Sequence, residues 1–426
     1  MKLLATKIKG HRLVLVVFAI ELLHFFFFRK ELEFIVSPLL FLGCGGFYYF
    51  YLINKPQLFY LEKSNETKAP ITFWHYMLLA FLFIGVFVFT QYLINTYPID
   101  VKDSDIIPLI MKVYVERFVQ GASVYAPFTG FNYGTFVPNY MPFHWLPFVL
   151  SAITSLDPRM VHSLVFCVAL LALLYRNYKV SVKPNEFIWK AILPFVFYFL
   201  ILIKQGKDYA VTVELVIAAY YVLLGLSLFS SSKFFQVIAM GMTLLSRYSL
   251  VFWLPVWALV KVLYQRKTAF ILFGGLALFV CLFYIFPFVW PNPEVLQKGS
   301  NLWVDAALNE WDGQDWQPIG DRPFQLFQGL GFASWFHQFY PGTLTEKLIA
   351  CKNALIASGI LGMFFLAVAR FKNQQSEQRL FLLLSLKLSL SNFYAFVFIP
   401  YVYLYWVPLC LSLVILVQMK WEKPLV

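Results

Sequence analysis

The sequence predicts an all-α polytopic membrane protein of about twelve transmembrane helices (11–13 depending on how the marginal segments are drawn). Juxtamembrane helices are expected in its first large extracytoplasmic loop. Three observations carry this expectation. Of 426 residues, 60% are hydrophobic and 13% charged, with a mean hydropathy of +0.70, a balance foreign to soluble globular domains. Apolar runs long enough to cross a bilayer recur along the whole chain. Lysine and arginine also concentrate in alternate loops, the orientation signature of a multi-pass protein.

The runs fall at 13–28, 34–53, 71–94, 159–176, 187–204, 209–229, 233–247, 250–264, 269–290, 346–369, 379–397 and 400–419. Lys2, Lys7, Lys9 and Arg12 precede the first run, as in a signal peptide, but no small-residue cleavage site follows Phe28, so a retained helix is expected. Residues 141–155 are apolar but broken by Pro142, Pro147 and His144, which suits a segment lying in the interface. With the N-terminus inside, cytoplasmic segments hold 19 of the 34 Lys and Arg and 5 of the 22 acids; outer segments hold 13 basic and 16 acidic residues. The net charge of +12 is therefore positive-inside bias and gives no reason to expect a nucleic-acid partner. Both termini fall on the cytoplasmic side of a cell (inner) membrane. Three regions follow: an N-terminal hairpin with its cytoplasmic loop (1–70), a module at 71–265 with outer loop 95–158, and a module at 266–426 with outer loop 291–345.

Cys44, Cys167, Cys281, Cys351 and Cys410 are scattered without a CxxC pair, so neither a disulfide framework nor a zinc site is suggested. No Gly-rich phosphate loop is present, and the cytoplasmic loops are too short for a nucleotide-binding domain.

The first outer loop opens with Asp100, Asp103 and Asp105, the first long polar interruption in the chain. Pro108 and the apolar Ile106, Ile110, Val113, Tyr114 and Phe118 then describe an amphipathic helix ending near Gly121. An aromatic segment follows, with Tyr125, Tyr140, His144 and Trp145 among four prolines. Ser104 or Asp105 would serve as a plain N-cap; alternatively, one carboxylate is a general base, or Asp103 and Asp105 together hold a divalent cation. No other cofactor is indicated.

Lys207-Asp208 marks the outer end of the fifth run, and Glu214 lies one or two turns into the next. A carboxylate inside the bilayer is costly and functional by default, whereas Lys207 and Asp208 also suit an interfacial pair. Arg247 interrupts two apolar runs; its guanidinium matches phosphate oxygens, or else pairs structurally with Glu214 or Asp208. The second outer loop mixes Asp305, Glu310, Asp312, Asp315, Asp321 and His337 with Trp303, Trp311, Trp316 and Trp335, which suits either sugar stacking or an interfacial belt. Glu21 and His24 stand one turn apart and could satisfy each other; Lys190 and Lys387 have no obvious partners.

A many-span chain whose first outer loop opens with Asp103-Ser-Asp105, runs through Gly121-x-x-x-Tyr125 and ends in Pro142-Phe-His-Trp-Leu-Pro147 resembles the GT-C glycosyltransferases. It looks most like bacterial polyprenol-phosphate-mannose-dependent mannosyltransferases and their arabinosyltransferase-like relatives, over about residues 71–265. Lys207-Asp208 is similar to a turn in protein O-mannosyltransferases and aminoarabinose transferases. Pro108 departs from the aromatic often found there, and two extra spans precede the usual first helix.

The resemblance implies a polyprenyl-phosphate sugar donor and a glycan, glycolipid or protein acceptor meeting on the outer side among membrane lipids. Asp105 would be the general base, with Asp103 second; Arg247 and Lys207 would bind donor phosphate; Asp208, Glu214, Tyr125, Tyr140, His144 and His337 would contact substrate. An O-antigen ligase or polymerase is a rival, but it calls for arginine-rich outer loops, and the outer arginines here are sparse. A polar-lipid transporter or flippase is another, but no inverted repeat is evident.

Overall fold

The computed structural model describes residues 10–60, 72–99, 106–130, 135–181, 183–293, 300–313, 322–368 and 375–421. The chain is an all-α polytopic membrane protein. Among the described residues, seven helices are long and apolar enough to cross a bilayer: α1 (Gly10–Phe28), α2 (Phe34–Leu52), α3 (Phe73–Thr96), α4 (Pro158–Val180), α5 (Pro184–Lys204), α9 (Arg266–Val289) and α10 (Leu344–Ala367). Shorter apolar helices are α6 (Glu214–Ser227), α7 (Lys233–Leu244), α8 (Leu254–Tyr264) and α12 (Val402–Gln418). The last long helix is α11 (Gln375–Ala395).

Helix α6 is the centre of the bundle. It packs against α4, α7 and α12, and every residue from Glu214 to Val222 is buried. Gly225 makes this possible near its far end: a Cβ there would press on Val414, Leu411 and Leu383 at 3.2–3.4 Å. Helices α2 and α11 pack similarly closely, with Gly45 against Ser391. By contrast, only 17% of α3 and α9 and 22% of α10 is buried against protein, so their apolar side chains face outward. Helices apolar all round with so little protein contact suit a lipid surround.

Three charges that the sequence left without clear partners are paired within the helices. Glu21 does not pair with His24. Its Oε1 accepts from Lys387 Nζ at 2.8 Å, while Oε2 accepts from Tyr48 at 2.9 Å and Ser412 at 2.7 Å. Lys387 also donates to the Pro408 carbonyl at 2.8 Å, and His24 turns instead to Ser37. Lys190 pairs with Glu186, one turn away, at 2.7 Å and donates to the Met419 carbonyl at 2.6 Å.

The two ends of the bundle differ. One end is clasped by main chain. Phe59 and Met419 form an antiparallel bridge, Tyr60 N donates to the Gln418 carbonyl at 2.8 Å, and Lys420 N donates to the Leu58 carbonyl at 2.7 Å. Arg176 ties the same strands through Gln418 Oε1 and the Tyr60 carbonyl. The other end gathers the long loops. Gly329, at φ +75°, lies so close to the Arg29 carbonyl that no Cβ would fit, so the second loop rests on the turn between α1 and α2. Phe332 N donates to the Ala395 carbonyl at 2.6 Å, and Trp311 Nε1 to the Phe398 carbonyl at 2.7 Å.

Two expected elements are interrupted. The run at 209–229 breaks at Thr212–Val213, giving a short helix Gly206–Val211 and then α6, so Glu214 opens its helix and is not one or two turns inside it. Residues 142–154 form three short pieces (Pro142–Trp145, Leu146–Phe148 and Val149–Thr154) stopped by left-handed Ser155 at φ 58°. None is long enough to cross a bilayer.

Candidate functional site

The site is built at the head of α6. Glu214 is the first residue of that helix and 1% exposed, where the helix dipole favours a negative charge. Arg247 sits in extended backbone between α7 and the turn Tyr248–Leu250, and its guanidinium forks both carboxylate oxygens: Nη1 to Oε1 at 2.8 Å and Nη2 to Oε2 at 2.7 Å. The Arg247 side chain is 18% exposed against 1% for Glu214, so what access the pair has lies on the arginine side. Beneath it, Tyr221 and Tyr394 share the Ser249 hydroxyl, at 2.7 and 3.3 Å.

The first loop is seated on this turn. Phe143 N donates to the Leu245 carbonyl at 2.9 Å, and His144 Nδ1 lies 3.3 Å from the Ser246 carbonyl. His144 stacks flat on Tyr140, ring centres 4.2 Å apart. The Tyr114 hydroxyl accepts from the backbone of Asn139 at 2.9 Å and Tyr140 at 3.0 Å. Tyr125 donates to the Tyr140 carbonyl at 2.8 Å and accepts from Trp145 Nε1 at 3.4 Å. Burial, with Arg247 nearby, lowers His144 to about 3 against the opposing Ser246 carbonyl. It is neutral at physiological pH, and its visible work is to hold the loop on the turn. Tyr125 is 3% exposed, part of the aromatic core under the loop.

A second cluster lies beside the first. Asp208, on the short helix Gly206–Val211, is half-buried and within the field of Arg29, Lys207 and Lys30. Burial pushes its carboxyl up, and the three cations oppose that shift. Gly206 lets this segment close on α3, since a Cβ there would meet Leu93 at 2.9 Å. Tyr403, at the head of α12, feels Tyr140, Glu214, Arg247 and Asp208 together, so both clusters belong to one region.

Of the sequence-nominated residues, Tyr140, His144, Lys207, Asp208, Glu214 and Arg247 come together at this end. His337 does not join them; it faces Trp311 and Phe327, at 5.9 and 5.7 Å between ring centres, in a separate packed group. Asp103 and Asp105 lie outside the described residues, as do Asp315 and Asp321, and the side chain of Asp305 is not described. Sequence reasoning missed Tyr394, Tyr403 and Arg29. The tyrosines sit in apolar runs that read as span, and Arg29 sits in the short turn between the first two runs. Among the described residues, no group of three or more His, Cys, Asp or Glu is placed to hold a metal ion. Comparison with known protein families, with curated proteins and with solved structures finds no match to this chain.

Proposed function

We propose that the protein is an integral membrane glycosyltransferase. It moves a mannose-like hexose or a pentose from a polyprenyl-phosphate donor to an acceptor hydroxyl, on a GT-C-like scaffold of twelve helices with both termini cytoplasmic and the reaction on the extracytoplasmic face. The observation that carries this reading is the seating of residues 140–144 on the Ser246–Arg247 turn. It brings an aromatic platform beside a buried acid, a forked arginine and a free-standing Lys207–Asp208 corner.

In the reaction, the acceptor oxygen bonds to the anomeric carbon as the carbon–oxygen bond to the lipid phosphate breaks. Asp105 takes the hydroxyl proton, with Asp103 as its neighbour in sequence, and the bond's electron pair leaves on the phosphate. A single displacement inverts the anomeric centre. Lys207 and the guanidinium side of Arg247 stabilise the departing phosphate. Because Glu214 already occupies both terminal nitrogens of Arg247, Lys207 is the more available cation. Tyr140 and His144 offer a stacked face for a sugar ring.

The test is transfer by purified protein in nanodiscs, supplied with radiolabelled polyprenyl-phosphate sugars. Asp105→Asn should lower the rate roughly 10²–10⁴-fold. Near-normal transfer in both Asp105→Asn and Asp103→Asn would refute the mechanism. Movement of intact donor across the bilayer without bond cleavage would favour a transporter.

A further inference from the structure

The turn between α1 and α2 holds Arg29 and Lys30, and neither has an ion-pair partner within 4.0 Å among the described residues. Arg29 Nη1 donates to the Phe25 carbonyl at 2.6 Å, but its Nε is buried with no hydrogen-bond partner. The arginine is held in place from behind: its guanidinium lies 5.6 Å from the Phe25 ring, and its carbonyl lies so close to Gly329 of the second loop that a Cβ there would not fit. Lys204 over the Phe27 ring, at 4.7 Å, brings the neighbouring turn alongside, and Asp208 on that turn feels Arg29, Lys207 and Lys30 yet forms no ion pair with any of them.

Arg29, part-buried, and the exposed Lys30 and Lys207 thus act on one carboxylate without closing on it. Among the described side chains, even with the exposed Glu31 counted, positive charge exceeds negative. Such a surplus, held partly out of water, is relieved by an anion entering between the groups, and a guanidinium with an unused Nε presents donors suited to a phosphate oxygen. Lys204, over the Phe27 ring at 4.7 Å, adds positive charge at the rim.

We infer that Arg29, Lys30 and Lys207 form a phosphate subsite, with Asp208 at its edge, that takes the phosphate of a lipid-linked head group. The inference rests on the lipid-phosphate donor reading and extends it: the N-terminal helical pair supplies ligands for the donor's phosphate, while Arg247 organises Glu214. Asp208, beside that phosphate, is placed to accept a hydroxyl hydrogen bond from the sugar.

The test is binding of farnesyl phosphate, a short polyprenyl phosphate, to the full chain in detergent, measured by native mass spectrometry alongside farnesol and inorganic phosphate. Wild type should bind farnesyl phosphate at least tenfold more tightly than either control. Arg29→Gln should weaken it at least tenfold and Arg29→Lys should restore most of it. Lys207→Gln, at an exposed position, gives the same direction of change should Arg29→Gln fail to fold. Unchanged binding in Lys207→Gln and in folded Arg29→Gln would overturn the subsite, as would farnesol binding equal to that of the phosphate. Inorganic phosphate binding as tightly would overturn the lipid assignment. Binding is read without turnover, so Arg29-dependent binding in a protein that transfers no sugar from any donor would support the subsite while removing the transferase reading.

Discussion

Two buried carboxylates, Glu21 and Glu214, each pair with a cation, yet their surroundings differ. Around Glu21 everything is closed. Lys387 is 0% exposed and the acid 2%, Tyr48 and Ser412 fill the second oxygen, and Lys387 spends a further bond on the Pro408 carbonyl. Around Glu214 the acid is equally buried, but Arg247 is 18% exposed and lies among polar and aromatic groups contributed by separate loops. A pair that satisfies itself joins helices α1, α2, α11 and α12; a pair left open on one side, beside a loop seated on it, is where a ligand has something to bind.

This difference can be broken from either side. The largest effect on the fold is expected at the closed pair: Lys387→Met strands a buried carboxylate and should cost about 3–5 kcal/mol, read as a fall in thermal stability in detergent. The double variant Glu21→Gln/Lys387→Met should recover most of that loss. At the open pair, Arg247→Gln should cost less, roughly 1–3 kcal/mol, because the helix dipole still favours the Glu214 charge.

His144 provides a finer probe of the loop's seat. Its folded value of about 3 lies below the ordinary 6.5, so the folded state prefers the neutral ring. The stability this represents is present above pH 6.5 and is lost as the pH falls towards 3, at about 1.4 kcal/mol per pH unit. Thermal melts between pH 7 and pH 4.5 should steepen accordingly, and His144→Gln should flatten the slope. The smallest effect on stability is expected at exposed Lys207, where Lys207→Gln should stay within about 0.5 kcal/mol of wild type.

The membrane class was legible in the sequence because apolar composition and run length follow directly from the bilayer's thickness. The break at Thr212–Val213 was not, since both sides of it are apolar and no proline or glycine marks it. Glu214 and Arg247 stood out because charge inside an apolar run is costly, and their mutual pairing was among the alternatives the residue types allowed. Lys387 found Glu21 across 366 residues, a contact that no local pattern encodes. Tyr403 and Arg29 were invisible for the same reason: their roles come from what the fold puts beside them, not from their neighbours in the chain.

The most direct measurement compares two charge-neutralised double variants in the same transfer assay, Glu21→Gln/Lys387→Met and Glu214→Gln/Arg247→Met, each first verified to be folded. If the open pair is the working one, the first should transfer sugar from a polyprenyl-phosphate donor at near wild-type rate and the second should lose on the order of 100-fold or more. Equal rates in the two folded variants would contradict the assignment of the head of α6 as the active end.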